Sequence, residues 1–103
     1  AEYEALAKAN ENSWRILFAI ANVFSYNEYF KEAIPMWQKT FDCMPKPRYT
    51  DSFEAMAQCC VRMGDHESAV EYYKKELELL REDWGLKYGA EVDALEEKIR
   101  ALQ

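Results

Sequence analysis

The sequence predicts an all-α fold built from antiparallel helical hairpins, two of them followed by one further helix. Three observations carry this. The chain repeats itself: Leu17, Ile20, Ala21, Phe24, Ala33 and Trp37 map onto Phe53, Met56, Ala57, Cys60, Ala69 and Tyr73 with a constant offset of 36 residues. Each position keeps its class: large apolar, large apolar, small, bulky, small, aromatic. The apolar residues recur at three- and four-residue steps, the period of a helix face. Finally, 3 Gly and 3 Pro in 103 residues are too few for the tight turns of an all-β domain or for a disordered linker. The length is that of a single domain, residues 1–103.

The elements follow in order. Helices are predicted near 2–25, 28–43, 51–63, 66–83 and 90–102, with Asn10-Glu11-Asn12-Ser13 a weak spot in the first. Residues 2–13 precede the repeated region and offer only Tyr3, Leu6 and Ala7 as an apolar strip, an edge for a neighbouring helix or a second copy. Asn27 and Asp65 are suited to cap helix N-termini, and Gly64 to end the helix before Asp65. Pro35 should bend the second helix at 31–34. Pro45 and Pro47 close that helix, and Asp51-x-x-Glu54 reads as a capping box opening the next. Gly85 and Gly89 bracket a loop, after which Val92, Leu95, Ile99 and Leu102 form the stripe of the last helix. The aromatic residues at helical spacing, Trp37 foremost, are expected in the core.

This pattern resembles the tetratricopeptide repeat, with its large-x2-large-small-x2-aromatic run, Ala-x3-aromatic step and closing Pro. Pro45 stands at the closing position of the first copy, while Arg81 stands there in the second. The resemblance implies repeat one at 14–47, repeat two at 50–83 and a C-terminal helix at 87–102, a fragment of a right-handed α-solenoid. A narrower likeness lies in Arg62-Met63-Gly64-Asp65, Ala69 to Tyr73, Leu80 to Leu86, and Glu91, Leu95 and Ile99. These resemble the bacterial transcriptional activator domain, the tetratricopeptide-like part of antibiotic-pathway regulators. Trp84 stands where that family has Leu, and Tyr88-Gly89 where it has Pro-Ser. The likeness implies a regulatory domain fused to a DNA-binding domain elsewhere in a longer protein, and the missing initiator Met fits a piece cut from one.

Charge and motifs narrow the function. The net charge is -6, and residues 1–49 balance six basic against six acidic side chains, so residues 50–103 hold the whole excess. No basic stripe is present, which argues against nucleic-acid contact by this domain. No apolar run is long enough to span a membrane. Cys43, Cys59 and Cys60 lack zinc spacing and read as reduced core residues of a cytoplasmic protein. The lone His66 lies in a turn beside no nucleophile motif, and its ring is expected to pack against the following helix. Neither catalytic residues, nor a metal site, nor a cofactor is expected. The Glu residues of 67–97 are placed on outer helix faces, with Glu71/Lys75 and Glu96/Arg100 at pairing distance, either solvated or a docking surface for a basic partner.

The expected function is therefore protein–protein interaction, as the regulatory or oligomerisation domain of a bacterial transcriptional regulator. The alternative is a generic tetratricopeptide scaffold for a peptide or partner protein with no role in transcription. The resemblance implies a concave face bearing Arg15, Phe18, Asn22, Ser25 and Tyr26 from one hairpin. From the other come Asp51, Glu54, Ala55, Gln58 and Arg62. Asn22 and Gln58 can hydrogen-bond a peptide backbone, and Phe18 and Tyr26 supply apolar area. Phe18 and Ala55 stand where some relatives carry polar residues that clamp a terminal carboxylate, so that clamp is not carried over. The same face could instead meet a following repeat, and the domain could form a homodimer.

Overall fold

The amphipathic segments become six helices in the computed structural model, which describes residues 2–10 and 12–103. They are α1 (Glu2–Ala9), α2 (Trp14–Tyr26), α3 (Phe30–Asp42), α4 (Asp51–Arg62), α5 (His66–Trp84) and α6 (Ala90–Leu102). No strand occurs among the described residues. The predicted first helix is split at its weak spot. The Asn10 side chain donates to the Leu6 carbonyl at 2.9 Å, satisfying an end group of α1. Ala1, and Glu11 of the weak spot, lie outside the described residues.

Each helix packs against its neighbour in sequence: α1 touches α2, α2 lies along α3, α3 along α4, α4 along α5 and α5 along α6, while α2 also meets α4. The molecule measures 40 × 31 × 16 Å, a flat slab. Two apolar clusters fill it. One joins Leu17, Ile20 and Ala21 of α2 with Ala33, Trp37 and Phe41 of α3 and Phe53 and Met56 of α4. The other joins Ala57 and Cys60 of α4 with Ala69, Tyr73 and Leu80 of α5 and Val92, Leu95 and Ile99 of α6. The small residues Ala21, Ala33, Ala57 and Ala69 have no exposed surface, as close helix contacts require.

The helix ends show where local sequence chemistry decides and where it does not. Gly64 takes φ +82° after α4, and the Asp65 N–H returns to the Cys60 carbonyl at 2.8 Å. This is the left-handed closure that glycine permits. The Asp65 carboxylate then accepts from the Ser68 N–H at 3.1 Å, capping α5 as expected. Asn27, expected to open a helix, closes one instead. Its side chain donates to the Val23 carbonyl at 2.8 Å at the end of α2, and α3 opens later at Phe30. The Asp51–Glu54 box does not form either. Thr50 occupies the cap position without a side-chain capping bond, and Glu54 turns to Gln58 and Lys98. Pro35 removes the N–H that the Lys31 carbonyl would receive, yet α3 runs through it from Phe30 to Asp42 with the ring exposed.

Candidate functional site

The face shared by α2 and α4 is built on a tryptophan. Trp37 projects from α3 into the seam and is almost wholly buried. Its ring meets Phe18 edge-to-face with centroids 4.9 Å apart. A buried indole N–H needs an acceptor, and it donates to the Ser25 hydroxyl at 2.9 Å. Ser25 in turn lies 3.6 Å from the Cys59 sulfur. Burial pushes the Cys59 thiol above its ordinary range, so this sulfur is a packed, protonated group and no thiolate nucleophile.

Above this floor lies a cleft of 120 Å³, rimmed by Asn22 of α2 and Gln58 and Arg62 of α4, with Ala55 in its wall. Asn22 and Gln58 are exposed, and Gln58 donates to Glu54 at 3.4 Å. Arg62 is tethered: it pairs with Glu28 at 2.7 Å and stacks over the Phe30 ring at 4.8 Å. The other face residues lie apart from this cleft. Glu54 pairs with Lys98 of α6 at 3.5 Å. Phe18 is committed to Trp37 and Trp14, and so is a half-buried support. Arg15 stacks over Trp14 at 5.2 Å, at the far end of α2. Tyr26 projects at the opposite end, 88% exposed. Asp51 is exposed at the start of α4.

Two features went unread in the sequence. One is Glu76, expected on an outer face but only 5% exposed, with its Oε1 lacking a hydrogen-bond partner among the described residues. Burial, then the nearby carboxylates Glu54 and Asp51, raise its pKa to about 7, against the opposing pull of Lys98 and the Thr50 hydroxyl. Its signal was present: Ala69, Tyr73, Glu76 and Leu80 step by four, three and four residues along the buried face of α5. The other is an aromatic row across the bundle end. Trp14 and Tyr49 have ring centroids 5.7 Å apart, and Tyr49 and Trp84 6.3 Å.

The remaining sequence expectations divide. His66 is the first residue of α5 and is exposed. Arg100 pairs with Glu97 at 2.6 Å in place of Glu96, and Lys75 stacks over Tyr72 at 5.4 Å in place of pairing with Glu71. Cys59 and Cys60 are buried, as small core residues should be. Among the described residues no group of three or more His, Cys, Asp or Glu is placed to hold a metal ion, and no helix is long and apolar enough to cross a membrane.

No protein-family model matches this chain, and no curated protein matches it.

Proposed function

We propose that this chain is a protein–protein interaction module of the tetratricopeptide type, its helices paired as α2–α3 and α4–α5 hairpins with α6 closing the second. The single observation that carries the reading is the cleft between α2 and α4. There two exposed carboxamides, Asn22 and Gln58, stand over a rigid floor of Trp37, Ser25 and Cys59. Carboxamides offer both donors and acceptors, the complement of an extended peptide backbone. The short connections 27–29 and 63–65 support antiparallel pairing, because so few residues return a chain only to an adjacent helix. The finer role, a regulatory domain of a bacterial transcriptional regulator, rests on the second-half resemblance from Arg62 to Ile99. A DNA-binding domain in the parent protein would favour it, and flanking repeats on both sides would favour the generic scaffold.

The test is selection of binders from a random peptide library, followed by titration into the ¹⁵N-labelled domain. Shift changes at Asn22, Ser25, Gln58 and Arg62, abolished in Asn22→Ala/Gln58→Ala, are the expected result. Binders that perturb only other faces, or none at all, would sink it.

A further inference from the structure

Tyr49 and Trp84 form the shared wall of two grooves that differ in charge. The first, 240 Å³, is lined by Trp14, Pro45 and Pro47 and by the cations Arg15 and Lys46, with no acidic residue among the described ones. The second, 390 Å³, is lined by Leu80 and Leu86 and by the anions Asp51 and Glu91, with no basic residue among the described ones. All four charged side chains are exposed. The rings between them are exposed as well, Tyr49 at 52% and Trp84 at 46%.

The aromatic centre is held in place. The Trp84 indole N–H donates to the Arg48 carbonyl at 2.7 Å, and Arg48 is clamped to Asp83, so the ring is fixed before anything binds. Immobile exposed aromatics surrounded by polar residues are the anatomy of an interface core, and a fixed ring loses little entropy on association.

The charge layout selects the occupant. A patch with cations on one side of an apolar centre and anions on the other is its own complement when turned by a two-fold axis. We propose that this surface, formed by the 45–50 connector with the starts of α2, α4 and α6 and the end of α5, binds a second copy of the same chain. The two-fold passes through the Tyr49–Trp84 region. Arg15 and Lys46 of each protomer then face Asp51 and Glu91 of its partner. The surface is separate from the α2/α4 cleft, so sedimentation and peptide titration test the two ideas independently.

The experiment is sedimentation velocity of the whole chain from about 5 to 500 µM, a window suited to Kd values near the micromolar range. The wild type should dimerise. Arg15→Glu/Lys46→Glu and Asp51→Lys/Glu91→Lys each give like charges on both sides, and each should associate at least about tenfold more weakly. Mixed one to one, the two variants should form a heterodimer, because each now carries the partner's complement. Tyr49→Ala, which removes an exposed ring outside both core clusters, should weaken the wild-type dimer about tenfold as well. Circular dichroism verifies that each variant is folded, and if a charge variant is not, Tyr49→Ala decides. A wild type that stays monomeric throughout would overturn the proposal. So would a dimer indifferent to these changes, which would lie on another face such as the Tyr3–Leu6 edge, or folded variants whose mixture stays monomeric.

Discussion

Arg48 and Asp83 are bound to each other three times, although one lies in the connector after α3 and the other in the last turn of α5. The guanidinium makes a forked contact, Nε to Oδ2 at 2.9 Å and Nη2 to Oδ1 at 3.2 Å, and the Arg48 backbone N–H adds a third bond at 3.0 Å. The same guanidinium lies 4.5 Å above the Phe41 ring. Arginine is suited to this place because only its planar fork can meet a carboxylate with two parallel donors while stacking on an aromatic face.

The clamp holds the Asp83 carboxyl down at about 2, through the side-chain and backbone bonds from Arg48. A depressed carboxylate stabilises the fold above its unfolded value, near 3.9, and loses that contribution as pH falls through the folded value. Asp83→Asn should therefore lower the melting temperature at pH 7 and flatten the acid limb between about pH 4 and 2. Arg48→Lys should fail to restore the wild-type curve, since an ammonium cannot reproduce the fork. Thermal melts across this pH range provide the measurement, and an unchanged acid limb in Asp83→Asn would refute the assignment.

Glu76 acts in the opposite direction and in a separate window. With its pKa raised to about 7, the folded state holds a proton that the unfolded chain releases near 4.3. Stability should decline as pH rises from about 4.3 to 7 and level off above, where the folded state carries a buried carboxylate facing Glu54, Asp51 and Lys98. Glu76→Gln should abolish this slope and raise stability at pH 8 by about 1–3 kcal/mol. Chemical denaturation at pH 5 and pH 8 separates the cases: a variant with the wild-type pH slope would place the titration elsewhere.

These two residues mark the boundary of what could be read from the sequence. Gly64, Asp65 and Gly85 ended or opened helices as expected, because each acts on backbone within a few positions of itself. The Gly85 N–H bonds the Arg81 carbonyl, and Leu86 bonds Leu80 at 2.8 Å. The Asp51–Glu54 box failed because α4 starts one residue early, with Thr50 at the cap, so Asp51 and Glu54 both fall inside the first turn, where Glu54 meets Lys98. Asn27 serves either helix end equally well by its chemistry, and only the length of the turn decided which. Asn22, Gln58 and Arg62 line one cleft, and they were named together only because the tetratricopeptide resemblance implied a face shared by α2 and α4. The aromatic row was not legible, since Trp14, Tyr49 and Trp84 belong to three segments with no common period.

Trp37 combines two contributions that substitutions can separate. Trp37→Ala removes the ring packed on Phe18 and leaves a cavity between α2, α3 and α4, which should cost about 3–5 kcal/mol. Trp37→Phe keeps most of the packing but loses the N–H bond to Ser25, and should cost clearly less. Ser25→Ala leaves the buried indole N–H without its acceptor and should cost about 1–3 kcal/mol. In the double variant Trp37→Phe/Ser25→Ala the second change should add almost nothing, because neither partner remains to be left unsatisfied. Urea denaturation of the wild type, the two single variants and the double variant closes the cycle, and strict additivity would mean the bond contributes nothing.

Cys59 and Cys60 are adjacent in sequence but differ in surroundings. Cys59 belongs to the first core cluster and lies against Ser25, while Cys60 belongs to the second. Burial is the main cause raising both thiols, opposed at Cys59 by the Ser25 bond and Arg62 and reinforced at Cys60 by Asp65. Both should therefore be almost unreactive towards iodoacetamide in the native state at pH 7.5, because alkylation requires an exposed thiolate. Labelling should appear only as the chain opens, so its rate reports on opening of the α4 packing. Glu76→Gln, by stabilising the fold at pH 8, should slow it further. Mass spectrometry of partly labelled protein can distinguish the two sites, and rapid native labelling at Cys59 would contradict the closed floor beneath Asn22 and Gln58.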